Sequence, residues 1–237
     1  MRTRSRCAHG SKADPLKHFL NPDLLAPNVL TIPVDAGVVA SFAHLARTAE
    51  TDADYCTLRP PWNSDMRWIS ADTTTGFEAF QKAFDELGIA SHVRGYLDLE
   101  QEVRLYAGFL HIRSRCSAPH FHVDWTLTNN EAFTLLTPVC GLGAGQTLLY
   151  KTLPGEVREY AYKAGEAIVF GDHFVHSTRP GRSETPFALL VFNFGTDRME
   201  HWDKIRRTTG TQCRLIRRPD GRFSRSENPR AAEATSS

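Results

Sequence analysis

Two histidines and one aspartate carry the chemistry legible in this chain. His122 and Asp124 stand two apart in the run Pro119-His120-Phe121-His122-Val123-Asp124-Trp125, and His176 follows in Gly171-Asp172-His173-Phe174-Val175-His176-Ser177-Thr178-Arg179-Pro180-Gly181. In extended backbone, residues two apart face the same side, so one imidazole and one carboxylate can aim at a common point. A second imidazole from His176 completes a face of two histidines and one carboxylate. Such a face holds Fe(II) on one side and leaves the opposite positions open for a co-substrate and O2. That is the donor set of an oxidising centre.

The same residues admit plainer readings. His122 and Asp124 can form an ordinary cross-strand polar pair, and His120, two before His122, makes an HxH ligand pair conceivable. His173 competes with His176 for the distal position; three apart in a strand they face opposite sides, and His176 is the favoured one. His111 reads as a satisfied strand histidine, Trp125 as packing on the pleat face opposite Asp124, and Cys116 and Cys140 as small core residues or bystanders.

Short β-type runs position these side chains. From about residue 103 the expected strands are Val103–Arg113, Phe121–Leu127, Ala132–Val139, Gln146–Thr152, Val157–Tyr162, Ala167–Phe170, Phe174–Thr178 and Phe187–Phe194. Turn residues separate them at Gly141–Gly145, Pro154-Gly155, Ala164-Gly165 and Pro180-Gly181. Upstream, apolar residues at helical spacing predict a helix over 36–50 and a second over 75–87. The second has Phe77, Phe80, Ala83 and Phe84 on one face and Gly88 as its stop. Eight short strands preceded by helices predict a mainly β fold, a jelly-roll or cupin-like barrel with helical packing outside.

With 237 residues the chain suits one domain, and no internal repeat is visible. Residues 1–28 read as a flexible arm, 29–102 as a helical and loop region packed on the barrel, 103–204 as the core, and 205–237 as a basic, flexible tail. That tail carries Arg206, Arg207, Arg214, Arg217, Arg218, Arg222, Arg225 and Arg230, yet the net charge is only +1, giving no reason to expect nucleic acid or a membrane as partner. The five cysteines are scattered and odd in number, which argues against a disulfide framework and for a reducing cytoplasm. The basic N-terminus lacks the apolar stretch of a secretory signal.

Residues 103–195 resemble the double-stranded β-helix core of the Fe(II)/2-oxoglutarate-dependent dioxygenases. In that family HxD sits on the second core strand and the distal histidine on the seventh, and His122, Asp124 and His176 match those positions one by one. The resemblance implies Fe(II) held by these three residues, 2-oxoglutarate as cosubstrate, O2 as oxidant, and hydroxylation of a small molecule, such as an amino acid or natural-product intermediate. One departure stands out. The family's usual arginine for the far carboxylate of 2-oxoglutarate falls near Thr185-Pro186-Phe187, where this chain has none. The candidates in its place are Arg182, then Lys151, then Arg179, with Arg113 as a further one. The helices over 36–50 and 75–87, with the loop around Trp62 and with Arg67 and Trp68, are expected to flank the barrel mouth. Two other functions remain open: a mononuclear Fe(II) oxidase or cyclase that does not use 2-oxoglutarate, and a non-catalytic barrel that binds a small ligand.

Overall fold

The structure, a computed structural model, describes residues 18–60, 63, 65–141 and 147–226. Strands β1 (Leu20–Asn21), β2 (Ala26–Pro27) and β3 (Val29–Pro33) lead into helices α1 (Ala36–Ala40) and α2 (Phe42–Thr48). Strands β4 (Tyr55–Leu58) and β5 (Arg67–Ala71) precede helices α3 (Thr74–Glu86) and α4 (Ile89–Val93). The core comprises β6 (Arg104–Cys116), β7 (Ala132–Cys140), β8 (Thr147–Lys151), β9 (Val157–Ala161), β10 (Glu166–Phe170), β11 (His176–Thr178) and β12 (Gly181–Gly195). Helix α5 (Trp202–Gln212) and the hairpin β13 (Leu215–Arg217) and β14 (Phe223–Arg225) follow.

Seven strands form one antiparallel sheet in the order β3-β10-β7-β12-β6-β5-β4, and three form a smaller sheet in the order β11-β8-β9. A bridge between His122 and His176 attaches the HxD segment to the edge of the small sheet. The chain thus alternates between two facing sheets as it winds, which is the double-stranded β-helix, or jelly-roll, arrangement.

Alternation of side chains explains why the long strands read as nearly unbroken apolar runs. On one face of the large sheet Leu190, Phe192, Phe133, Leu135 and Val169 pack against α3 through Phe80 and Phe84, with Phe84 edge-on to Phe192 at 5.7 Å. On the other face Leu189, Val191, Phe109, Leu136 and Ile168 line the barrel interior. Both faces are covered, so neither can be polar throughout. The polar exceptions on the inner face are where the site lies.

Three expectations need correction. The segment Phe121–Leu127 is not a strand. Only His122 pairs, after which Trp125 is drawn inward by its indole bond to Thr134 (3.0 Å), and Leu127, Asn129 and Asn130 take left-handed backbone. The helix expected over 36–50 is interrupted at Ser41, whose hydroxyl donates back to the Val38 carbonyl at 2.6 Å. The stretch from Ile205 onward, expected as a flexible tail, instead packs. Ile205, Cys213, Leu215 and Ile216 are buried, while Arg214 and Arg225 both pair with Asp72 at 3.1 and 2.6 Å. Residues 227–237 and 1–17 lie outside the described residues. The described end of the expected N-terminal arm is ordered into β1 and β2, with Ala26, Asn28 and Val29 buried.

Two aspartates tie core loops together. Asp172, fully buried, accepts hydrogen bonds from the Thr128 N–H (3.0 Å), the Thr128 hydroxyl (2.5 Å) and the Asn130 N–H (3.3 Å). Asn130 returns its side-chain oxygen to the Asp172 N–H at 3.1 Å, and Asn28 donates to the Asp172 carbonyl at 2.6 Å. Gly171 permits this closeness, because a Cβ there would collide with Asn130 Oδ1. Asp197 in turn receives the N–H groups of Glu100, Gln101 and Glu102 at 2.7, 2.6 and 3.0 Å, fixing the entry to β6. Burial pushes its carboxyl pKa up, but those three N–H groups outweigh it and hold the group below the usual carboxylate range.

Asp172→Ala is expected to lower stability by about 3 kcal/mol, because three buried donors lose one acceptor. A loss below about 1 kcal/mol in equilibrium urea unfolding contradicts that role. For Asp197→Ala the expected loss is about 2 kcal/mol at neutral pH. The folded-state pKa lies below the unfolded one, so this contribution is complete above the unfolded carboxylate value and disappears as pH falls through the folded value. Urea curves of wild type and Asp197→Ala should therefore converge as pH drops below about 4. A gap that stays constant with pH counts against the assignment.

Candidate metal centre

His122 and His176 exchange backbone hydrogen bonds, His122 N–H to His176 O at 3.0 Å and His176 N–H to His122 O at 2.9 Å. Directly opposed residues of an antiparallel pair project their side chains to the same face. Their rings accordingly face each other at 4.5 Å between centroids. Asp124, brought round by the bend after the bridge, places Oδ1 3.5 Å from His122 Nε2 and 3.7 Å from His176 Nε2. One donor atom from each of the three residues lies within 4.8 Å of the others.

Each imidazole is held by its other nitrogen. His122 Nδ1 lies 2.8 Å from the His120 carbonyl oxygen and His176 Nδ1 3.1 Å from that of Phe174. A carbonyl only accepts, so Nδ1 carries the hydrogen and Nε2 keeps its lone pair pointed inward. Burial pushes the His176 pKa down and favours the neutral, ligating form. The His122 pKa is raised, chiefly by its hydrogen bond with Asp124. Burial pushes the Asp124 carboxyl up, but His176, His122 and the Thr134 hydroxyl overcome it and bring it down to about 2. The Nε2 of His176 and, once a cation displaces the proton shared with Asp124, the Nε2 of His122 thus converge with one ionised carboxylate. Donors bonded at about 2.1 Å to one cation lie at most about 4.2 Å apart, and both histidine–aspartate separations meet that limit. The donor set fits Fe(II), with three protein ligands on one side and the cavity on the other.

The cavity has a volume of about 980 Å³. Its apolar lining includes Phe109, Leu136, Leu148, Leu189 and Val191, and its polar lining Asn63, Asp65, Arg115, His120, Thr211 and Gln212. On β6, residues 109, 111, 113 and 115 all line it, as the two-residue period of a strand requires. Trp68 lines it as expected. Arg67 does not, pairing instead with Glu50 at 3.1 Å, and Trp62 lies outside the described residues. The helices α1 to α3, expected at the mouth, cover the outer face of the large sheet, since Val39, Phe42, Leu45 and the phenylalanines of α3 need that apolar surface.

The basic residues do not fall in the order expected from the sequence. Arg182 is exposed at the start of β12, Lys151 is exposed with its ammonium 5.1 Å over the Phe121 ring, and Arg179 pairs with Glu159 at 3.3 Å on the surface. None of the three lines the cavity. Arg113 does, and no carboxylate of the described residues lies within ion-pair distance of it. Burial pushes its pKa down, opposed by Tyr162, Cys116 and Asp65. Sequence spacing carried the signal: Arg113 is two residues beyond His111 and four beyond Phe109 on one strand face.

Other histidines separate clearly. His173 is exposed, in left-handed backbone (φ 71°), with its ring 6.1 Å from His18. His120 stays at the mouth, 5.9 Å from the His122 ring, outside the three-donor group. His111 is not the satisfied strand histidine expected: its Nε2 is buried without a hydrogen-bond partner among the described residues, and burial pushes its pKa well down. Sequence reasoning did not single out Thr134, Asn193 or Gln212, which hydrogen-bond outward from Asp124, because isolated threonine and amide residues in apolar strands carry no motif.

No protein-family model matches the chain, and no curated protein matches its sequence. Solved structures do. HygX from Streptomyces hygroscopicus, with nickel, 2-oxoglutarate and hygromycin B bound, superposes with a TM-score of 0.57 at 17% identity, over 77% of this chain and 90% of that one. The non-haem α-ketoglutarate-dependent epimerase SnoN from nogalamycin biosynthesis gives 0.56 at 13% identity, over 72% and 79%. A Pseudomonas putida prolyl-4-hydroxylase gives 0.51 at 16% identity, over 71% and 92%. What this chain shares with these proteins is their fold, the double-stranded β-helix of the 2-oxoglutarate/Fe(II) oxygenases.

Proposed function

We propose that the protein is a non-haem Fe(II)- and 2-oxoglutarate-dependent oxygenase that hydroxylates an unactivated C–H bond of a small molecule, such as an amino acid or natural-product intermediate. The observation that carries this reading is the convergence of His122 Nε2, His176 Nε2 and Asp124 Oδ1 at the wall of a large cavity. When bound, Fe(II) and 2-oxoglutarate supply activation of O2, with succinate and CO2 as the by-products of the oxidising step.

The chain's own residues bind, orient and exclude water. His176, and His122 once its Nε2 proton gives way to the cation, would supply nitrogen donors oriented by their Nδ1 bonds, and Asp124 a negative charge that offsets part of a divalent cation's. Arg113 is the residue we assign to the far carboxylate of 2-oxoglutarate. Its planar fork matches a carboxylate with two hydrogen bonds, and an unpaired charge beside an apolar wall gains most from such a partner. Tyr162, lining the same cavity with its pKa pushed up by burial, remains a phenol that can donate a hydrogen bond. The apolar residues opposite keep bulk water from the reacting carbon. At about 980 Å³ the cavity is at the upper end of small-molecule sites, with room for cosubstrate and substrate together. The scattered free cysteines, Cys56, Cys116, Cys140 and Cys213, suit a cytoplasmic location.

Anaerobic titration with Fe(II) and 2-oxoglutarate is expected to develop the weak visible charge-transfer band of the chelated complex. Asp124→Ala and His176→Ala should abolish both the band and 2-oxoglutarate-dependent succinate release, since two remaining donors hold the cation poorly. Full activity in Asp124→Ala sinks the ligand assignment. Arg113→Ala should weaken 2-oxoglutarate binding by about 100-fold, the cost of removing one member of a buried charge pair. Lys151→Ala, Arg179→Ala and Arg182→Ala should each stay within about threefold, as expected of exposed charges. Reversal of that ranking transfers the anchor away from Arg113.

A further inference from the structure

Asp124 turns Oδ1 towards the two imidazoles and leaves Oδ2 to the Thr134 hydroxyl at 2.9 Å. Thr134 Oγ1 also receives the Trp125 indole N–H at 3.0 Å and stands 3.2 Å from one end of the Asn193 amide. The other end of that amide is 3.4 Å from the Gln212 amide. Trp125, Thr134 and Asn193 are buried, whereas Gln212 lines the cavity from the last residue of α5. The same helix reaches Asp124 a second time, through the Thr208 hydroxyl to the Asp124 carbonyl at 2.6 Å.

Donor counting sets the sense of this chain. An indole only donates, so Thr134 accepts from Trp125. A hydroxyl has one proton, and an ionised carboxylate is the stronger of its two candidate acceptors, so that proton goes to Asp124 Oδ2. Asn193 Oδ1, at 3.2 Å, is the second and weaker acceptor for that proton and packs against the hydroxyl beside it. The Asn193 side-chain N–H in turn donates to Gln212 Oε1 at 3.4 Å. Thr134 thus holds Asp124 Oδ2 while it touches the Asn193–Gln212 pair, so all three residues bear on the carboxylate through one hydroxyl.

We propose that Gln212, Asn193 and Thr134 form a positioning chain for Asp124. Thr134 dictates which carboxylate oxygen is left to hold the cation, and Gln212 joins that orientation to the wall of the substrate cavity. The inference rests on the metal-centre reading above. It makes α5, part of the stretch that reads as a solvated tail, a functional element of the site.

Mn(II) binding to the full chain, measured calorimetrically with the metal alone, tests it. Wild type should bind one ion and His176→Ala none; if wild type binds no ion, or His176→Ala binds as wild type does, the metal centre and this inference fall together. Given that baseline, Thr134→Val, equal in shape but lacking the hydroxyl, should bind about tenfold more weakly. Thr134→Ser should bind within about twofold of wild type, which a purely steric role for Thr134 does not predict. Gln212→Leu should weaken binding by roughly threefold in the wild-type background and have no effect in Thr134→Val, the non-additivity of linked residues. Wild-type affinity in Thr134→Val, or an equal Gln212→Leu effect in both backgrounds, overturns the chain while leaving the metal centre intact. Should Thr134→Val fail to fold, Gln212→Leu alone decides: unchanged Mn(II) affinity overturns it and a threefold loss supports it.

Discussion

The site depends on one reciprocal pair of backbone hydrogen bonds, His122 to His176 and back, at 3.0 and 2.9 Å. That exchange joins two segments separated by most of the barrel and puts both imidazoles on one face. A slip of one residue on either side turns a ligand outward. Two hydrogen bonds contribute only about 1 kcal/mol each in net terms, too little to fix register alone. The surroundings supply the rest. Phe170 and Phe174 pack on the His176 ring at 4.6 and 5.6 Å, and Asp172 fastens the loop after the HxD segment to the turn before β11. The segment between β2 and β3 adds a third brace, through Asn28 to the Asp172 carbonyl.

Packing on the far side of the large sheet makes this polar interior tolerable. Phe77, Phe80 and Phe84 of α3 bury against the outer face, together with Leu190, Phe192 and Phe194 of β12. Each fully buried side chain of this size contributes about 1.5–3 kcal/mol. The inner face is thereby released from carrying the whole core, and β12 can place buried Asn193 beside Thr134 while still holding its neighbours in the sheet. Function and stability occupy alternate residues of the same strands.

The parts legible in the sequence were those that repeat or punctuate. Core strand order followed from short apolar runs and Gly/Pro turns, and seven of the eight expected core strands are present within a few residues. Helix α3 followed from phenylalanines at helical spacing, with Gly88 just beyond it in left-handed backbone at φ 62°. His122, Asp124 and His176 were legible through spacing and context, and the structure brings them together. Less legible were features decided by tertiary partners. The HxD segment looks extended but bends, because Trp125 finds Thr134 inside. The last described stretch looks like a solvated tail because its arginines outnumber its aliphatics, yet Arg214 and Arg225 close on a single Asp72 and let Cys213 and Ile216 be buried. The family resemblance puts Arg182, Lys151 and Arg179 ahead of Arg113, while enclosure depends on strand face, which favours Arg113.

Charge balance within the cavity ties the proposed cofactors to one another. Asp124 is ionised throughout the neutral range, and His176 and His111 are held towards their neutral forms by burial. Arg113 adds one positive charge with no carboxylate partner among the described residues. A divalent cation on the three donors leaves the enclosed set two charges positive, counting Asp124 and Arg113. A site in low-dielectric surroundings does not hold such an excess without a counter-ion. A dianion would cancel that excess, with Arg113 available to hold one of its carboxylates, whereas a neutral ligand or a monoanion would not. The disposition of Arg113 and the three donors around one cavity therefore favours a dicarboxylate such as 2-oxoglutarate over an oxidase chemistry that uses none, on the same physical ground that makes either charge costly to bury alone.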